Sequence, residues 1–333
     1  MSKVLGVDLG TSNTLIYVKG KGIVLREPSV VAIDKQRKKV LAVGEEAKKM
    51  LGKTPGGIDA QFPLKDGVIA DFDITARMLA NYFSKIHARG ILSLPAVLVS
   101  IPQGVTEVER RAVEDASYEA GAKEVALIPE PVAAAIGAGM NITEPKGSMI
   151  VNIGGGTTEV AVLSLMGVVV SSSTKVAGNQ FDEAIVQYMR DEHKLLIGRS
   201  TAELLKKRIG SVHPSSDTGE LDVRGSNLRS GLASSVTITS AQLRKALYNP
   251  VQQVIEVIRR TLAMTPPELS YDILERGIML AGGGALLGGF PRLIGERTGV
   301  KVAVAKQPLE SVARGLGRLA EGTGDYDFEF RAR

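Results

Sequence analysis

The stretch IVNIGGGTTEV, Ile150 to Val160, decides the fold. A strand-like apolar run enters three glycines, and two threonines follow. Glycine adds no Cβ, so such a turn lets backbone N–H groups close on something anionic. The run into the turn ends in Asn152, an amide, where a metal-assisted phosphate site more naturally places a carboxylate. Taken alone, Gly-Gly-Gly is also just a turn. This one has an equivalent early in the chain, GVDLGTSNT, Gly6 to Thr14. Both turns join strand to strand. That excludes the Walker P-loop, which enters a helix and ends in Gly-Lys-Ser/Thr, and the dinucleotide fingerprint for the same reason.

Composition sets the outer limits. A chain of 333 residues has room for two domains. Its 44% hydrophobic and 23% charged residues are those of a soluble globular protein. A net charge of +5 is mild, and no basic block is interleaved with aromatics, so nucleic acid is not an expected partner. The densest basic cluster, KQRKK (Lys35 to Lys39), reads as a solvated turn. With no cysteine, disulfides, thiolate metal sites and a cysteine nucleophile are excluded. His87, His193 and His213 lack zinc-ligand spacing. The start, MSKVLGVDLG, carries no signal-peptide apolar region, and no apolar run approaches the ~18 residues of a membrane span; a cytoplasmic protein is expected. Glycine is the outlier at 37 residues, clustered where backbone must approach a ligand closely.

The first third reads as a meander of short strands. A helix is expected from Asp73 to Arg89, with Ile74, Met78, Leu79, Tyr82, Phe83 and Ile86 at helical spacing. AVLVSI (Ala96 to Ile101) is apolar on both faces, as in a buried parallel strand. Thr106 and Glu109 form a capping box for the next helix. A strand near Val125 to Ile128 and an alanine-rich helix from Pro131 follow. The same order then begins again at Ser148, with helices at Phe181 to Lys194, Thr201 to Ile209 and Ser240 to Met264. A Ser/Asp/Gly-rich loop is expected over His213 to Ser235. GIMLAGGGALLGG adds a further strand and glycine turn, and a last strand-helix pair lies near Val302 to Ala320.

Two such turns can clamp one polyphosphate. Asp8, at the end of the first strand, can hold waters of a Mg²⁺ ion, and Thr11, Ser12 and Asn13 can bond phosphate oxygens. The third glycine turn, AGGGALL (Ala281 to Leu287), lets a flat base approach the backbone. In this order, with IPEPVAAAIGAG between the first two, the turns resemble those of the actin superfamily ATPases. GVDLGTSNTLIYVKGKGIVLREPSVVA, LKDGVIADF, EPVAAAIGAGM, IGGGTTEVAVLSL, LIGRSTAELLKKRIGS and PPELSYDILERGIMLAGGGALL resemble the MreB/Mbl family of bacterial actins, over nearly the whole chain.

The resemblance implies an actin-like α/β fold: two ribonuclease-H-like core subdomains, two smaller inserted ones and an interdomain nucleotide cleft. The first core is expected over 1–30, 63–140 and 310–333, with 31–62 inserted. The second is expected over 141–180 and 236–309, with 181–235 inserted. It implies ATP and Mg²⁺ as cofactors. Asp8 matches the family's metal-side aspartate, acting through water, and Asn152 the weakened second position. Thr11, Ser12 and Asn13 match phosphate loop one, and Gly154, Gly155, Gly156 and Thr157 loop two. Glu130 matches the glutamate that orients the attacking water, with Thr157 assisting; on its residues alone Glu130 reads first as serving the positive end of the helix that Pro131 begins. Glu203, Lys206 and Lys207 match nucleoside contacts, although Glu203 and Lys206 also read as an exposed ion pair. Gly282, Gly283, Gly284 and Ala285 match the adenosine loop. Ile91 and Leu92, in RGILSLPAV, match an apolar pair that dips into the bilayer; their alternative is packing under the turn.

Family members carry aspartate where this chain has Asn152, and again where AGN has Asn179. Both changes remove a carboxylate and bear on hydrolysis more than on binding. The implied function is an ATP-driven filament that organises cell-wall synthesis and keeps rod shape. Its implied partners are itself, in antiparallel double filaments, the inner membrane surface, and membrane proteins of the elongation machinery. The implied enzyme activity is slow ATP hydrolysis. The rivals are a non-polymerising actin-fold ATPase or kinase, and a filament with little turnover.

Overall fold

Residues alternate between apolar and polar only where one face of a strand meets water, and Ala96–Ile101 shows no alternation: all six of its residues are buried. The computed structural model, which describes residues 4–87 and 94–322, places this strand inside a five-stranded sheet. Its strands are β1 (Val4–Leu9), β2 (Asn13–Val18), β3 (Gly22–Pro28), β4 (Ala96–Ile101) and β5 (Glu124–Pro129), in the order β5-β4-β1-β2-β3. β1 and β5 both run parallel to β4, while β1, β2 and β3 pair antiparallel. A second five-stranded sheet repeats the order. Its strands are β6 (Ser148–Ile153), β7 (Thr158–Ser164), β8 (Gly167–Thr174), β9 (Ile278–Ala281) and β10 (Val302–Val304), ordered β8-β7-β6-β9-β10. β6, β9 and β10 are parallel neighbours. This duplication is the mixed α/β, actin-like architecture that the resemblance implies.

Two compact units contain these sheets. The first comprises residues 1–146, 163–168 and 309–333, and the second residues 147–162 and 169–308. In the first, the helix runs Phe72–His87, and Ile74, Met78, Leu79, Tyr82, Phe83 and Ile86 are all buried, as their spacing requires. The capping box forms: Thr106 N–H donates to Glu109 Oε2 (2.7 Å) and Glu109 N–H to Thr106 Oγ1 (3.3 Å). A small three-stranded sheet, Lys39–Val43, Val31–Asp34 and Ile58–Gln61, carries the helix Glu45–Met50.

In the second unit the helix Ser240–Met264 has the expected bounds. The expected loop over His213 to Ser235 is corrected. After a short 3-10 turn at Pro214–Ser216, strands Glu220–Asn227 and Ala233–Thr239 pair with each other, and the first pairs with Leu195–Leu196. The apolar signal is weak there because the hairpin is mostly half-exposed; only Val223 and Ile238 are buried. Gly225 sits inside the strand because a side chain would run into the backbone of Leu196.

The first unit depends on one close helix crossing. The helices Glu130–Ala138 and Ser311–Glu321 meet through glycines. A methyl at Gly137 would overlap Ser311 O, and one at Gly315 would overlap Ala133 O. Gly317 likewise faces the Tyr17 ring, 2.6 Å from where a Cβ would stand. Helix propensity favours alanine over glycine by ~1 kcal/mol, but overlap with fixed backbone costs ~1–3 kcal/mol or more. Gly315→Ala is therefore expected to lower the urea midpoint. Gly295→Ala makes the same change inside Phe290–Thr298, where the nearest atom is Val300 O at 3.4 Å, and is expected to hold or raise it. Equal midpoints for the two variants would show that the crossing is not tight.

Candidate functional site

The turn between β1 and β2 closes on one backbone bond, Gly10 N–H to Asn13 O at 3.1 Å. Its carbonyls are occupied by Ser29. Ser29 N–H donates to Ser12 O (3.0 Å), and Ser29 Oγ donates to Gly10 O (2.6 Å) while sharing a hydrogen bond with Thr14 Oγ1 (2.8 Å). Thr11 Oγ1 accepts from Gly67 N–H at 2.9 Å. That fixes the side chain and leaves its own hydroxyl proton to donate.

The turn between β6 and β7 repeats the closure, with Gly154 N–H donating to Thr157 O at 2.9 Å. Here the carbonyls are taken by the N-terminus of the helix Gly178–His193: Gly178 N–H donates to Gly154 O (3.1 Å) and Asn179 N–H to Gly155 O (2.8 Å). Among the described residues no protein group takes the amides of Gly155, Gly156 or Thr157. Each turn is thus closed and braced within its own unit.

The third loop is built against the second. A side chain at Gly282 would strike Ile153 O, and one at Gly284 would strike the Ile153 side chain. Gly282 takes a positive φ of 79°, and its N–H donates to Pro308 O at 2.8 Å. Gly283 and Ala285 continue in the 3-10 turn Gly283–Leu286. Asn152 is buried, 3% exposed, and its Oδ1 lies 2.9 Å from where a Cβ on Gly282 would stand. The amide position and the third loop therefore share one wall.

The helix Arg199–Ile209 supplies the remaining candidates, with a different pairing from the one its spacing suggests. Glu203 pairs with Lys207 (2.5 Å), not with Lys206. Lys206 turns inward, where its ammonium lies 2.7 Å from Asp182 Oδ1 and 2.7 Å from Gly178 O. Both side chains of the Lys206–Asp182 pair are largely covered, at 16% and 11% exposure. Burial pushes the Asp182 carboxyl up, and Lys206 acts against that shift. Sequence reasoning missed Asp182, Ser29 and Gly67. Asp182 carried a usable signal: it follows Phe181 on the buried side of an amphipathic helix.

In the first unit Asp8 ends β1 and Glu130 opens the helix Glu130–Ala138, between Pro129 and Pro131. Burial, then the Glu130 charge, hold the Asp8 carboxyl well above the usual carboxylate range, while a hydrogen bond from Ser100 Oγ (3.5 Å) opposes them. A raised Asp8 carboxyl that feels a second carboxylate fits a nearby cation. Among the described residues no group of three or more His, Asp or Glu could ligate a metal directly. The oxygen-only set fits Mg²⁺ held through its waters and a substrate's phosphates. Ile91 and Leu92 lie outside the described residues.

Comparison with known proteins gives concordant neighbours. The family model described as MreB/Mbl protein matches residues 2–327. Cell shape-determining protein MreB of Escherichia coli (strain K12) is 52% identical over 325 residues, 96% of this chain and 94% of that protein. Cell shape-determining protein Mbl of Bacillus subtilis (strain 168) is 49% identical over 317 residues, 95% of each. The crystal structure of MreB 5 of Spiroplasma citri bound to AMPPNP superposes with a TM-score of 0.90 at 39% identity, covering 95% of each chain.

The raised Asp8 pKa has a stability consequence with a definite sign. The folded protein binds the Asp8 proton more tightly than the unfolded chain, so stability falls as pH rises from the ordinary Asp value of 3.8 through the folded value. Asp8→Asn removes that penalty. Without nucleotide or Mg²⁺, the variant is expected to melt higher than the parent at neutral pH, with the gap closing towards pH 3.8. A variant that melts lower at neutral pH would show that the carboxylate is satisfied in the free protein.

Proposed function

The chain belongs to the MreB/Mbl family of actin-like, cell shape-determining proteins, and from that premise we propose that it binds Mg-ATP through its duplicated turns and assembles into antiparallel double filaments. The observation that carries this reading is the repeated closure, Gly10 N–H to Asn13 O in one unit and Gly154 N–H to Thr157 O in the other. Solved structures of the Spiroplasma citri relative hold AMPPNP and ADP, which supports a nucleotide ligand here. A non-polymerising kinase or chaperone-type ATPase is not favoured by these relatives.

In this reading Thr11, Ser12 and Asn13 donate to phosphate oxygens from one turn, and the amides of Gly155, Gly156 and Thr157 do so from the other, which Gly154 closes. Gly282 to Ala285 present backbone to the base. Glu203, Lys206 and Lys207 serve the nucleoside; Lys206 uses two of its three N–H groups on Asp182 and Gly178, and keeps one. Bound Mg²⁺ would neutralise phosphate charge. Asp8 would hold its water shell by charge-assisted hydrogen bonds, and Asn152 by neutral ones of roughly half the strength. Glu130, framed by two prolines, orients the attacking water with Thr157, so ATP is hydrolysed slowly. The filaments lie on the inner face of the cell membrane, with Ile91 and Leu92 entering lipid, and work with membrane proteins of the elongation machinery to keep rod shape. The domain limits follow the family: cores at 1–30, 63–140 and 310–333, and at 141–180 and 236–309, with 31–62 and 181–235 inserted.

Assembly is checked by sedimentation and electron microscopy. Paired filaments are expected with Mg-ATP; protein that stays monomeric at micromolar concentration with nucleotide and lipid present would refute the filament reading. Turnover is checked separately. Asn152→Asp should raise single-turnover hydrolysis about tenfold if ~1.4 kcal/mol of transition-state stabilisation returns, and Glu130→Ala should remove the residual rate. An unchanged rate in the aspartate variant would make the position purely structural.

A further inference from the structure

The basic run KQRKK is a turn, as its composition suggests, but it is a fixed one. Asp34 Oδ1 accepts from the N–H groups of Gln36 (2.9 Å) and Arg37 (3.0 Å). Lys38 closes the turn at a positive φ of 50°. From the neighbouring helix Phe72–His87, Arg77 Nη1 donates to Lys38 O at 2.7 Å. The backbone of the turn is thus held from two sides.

That frame divides the charges. Lys35 is compensated by Asp59, 3.6 Å away. Arg37, Lys38, Lys39 and Arg77 form no ion pair among the described residues. Together they line an open concavity of about 690 Å³, floored by Val40 and Ala80, with Asn81 one helical turn beyond Arg77. No carboxylate lines it. Asp73, one turn before Arg77 on the same helix, makes no ion pair with it. Four like charges around one depression repel, and an anion seated there removes that repulsion. Guanidinium groups with ammonium groups suit a phosphate, which takes bidentate hydrogen bonds from Arg and point charge from Lys.

We propose that this concavity binds the phosphodiester headgroup of an anionic phospholipid. The occupant follows from position. Arg77 lies ten residues before His87, about 15 Å along the helix, and the chain then runs directly into the apolar segment that holds Ile91 and Leu92. Two apolar side chains contribute ~2–3 kcal/mol each at best, so a headgroup contact on the same helix supplies a second anchor. The proposal rests on the membrane reading given above.

The test uses the full chain and liposome flotation. One set of vesicles is pure phosphatidylcholine and the other includes phosphatidylglycerol. Arg37→Gln with Lys39→Gln removes two lining charges and leaves the Asp34 and Arg77 contacts in place. Lys49→Gln with Lys53→Gln removes the same charge from exposed positions outside the concavity. The first pair should lose about thirtyfold in partition to phosphatidylglycerol vesicles, at about 1 kcal/mol per charge, with no change on phosphatidylcholine. The control pair should stay within about twofold of the parent. Equal losses from both pairs would reduce the effect to overall charge and overturn the site. So would an unchanged first pair, or binding of inorganic phosphate at the site with flotation unaffected. Ile91→Ser with Leu92→Ser separates the two readings: if it abolishes flotation while the charge pair has no effect, only the headgroup site fails. A parent chain that floats on neither vesicle would sink both.

Discussion

A backbone turn that faces an anion, as proposed for both turns of this chain, has to hide its own carbonyl oxygens. A carbonyl pointing at phosphate would repel it about as strongly as an amide attracts it. The two turns meet the constraint by different means. In the first, Ser29 takes the carbonyls of Gly10 and Ser12 with its N–H and its hydroxyl. In the second, the first N–H groups of a helix take those of Gly154 and Gly155. Those helix donors would otherwise be orphans of the first turn, so a single contact satisfies the helix end and orients the glycines. Gly178 has to be small for this: a Cβ there would stand 3.2 Å from Gly154 O.

The duplication extends from sheet order to single hydroxyls. Thr14 and Thr158 both follow their turns by one residue past the closing carbonyl, and both are fully buried. Thr14 bonds Ser29 and Thr158 bonds Val176 O at 2.7 Å, so each ties its strand to the element beside it. The halves differ in charge. The first carries Asp8 with Glu130, whose carboxylates repel within the free protein. The second carries the amide of Asn152 and a compensated pair, Asp182 with Lys206. The second also buries Glu159 just after its turn, at 2% exposure, so buried carboxylates occur in both units.

Much of this was legible in the residues. The strand-turn-strand setting of both glycine turns excluded the helix-entering phosphate motifs, and the helical spacing of Ile74 to Ile86 marked a buried face that the structure shows. What was not legible depends on features that side-chain periodicity does not carry: backbone overlap, low burial and contacts from another helix. Glycines at Gly137 and Gly315 look like weak points in helices until the carbonyls of Ser311 and Ala133 are seen where their side chains would be. The hairpin at Glu220–Thr239 hid behind serines and glycines because little of it is buried. Lys206 and Lys207 were indistinguishable by spacing from Glu203, since both three and four residues are helical neighbours. Asp182 and the Gly178 carbonyl, both on another helix, hold Lys206 inward.

Asn152 joins two requirements that its sequence position alone would not connect. It is paired in register with Ala281, and its Oδ1 faces the space beside Gly282. That glycine takes a positive φ, and its N–H is already spent on Pro308 O. A carboxylate at residue 152 would bring a full charge into a buried position, which is costly unless a cation or donors compensate it. A buried amide, being uncharged, costs less. At the proposed metal site the chain thus carries one charge fewer, at a residue whose Oδ1 lies against the Gly282 loop. In the first unit Asp8 is held above its ordinary range beside the Glu130 charge, so a cation bound there as proposed would relieve that repulsion.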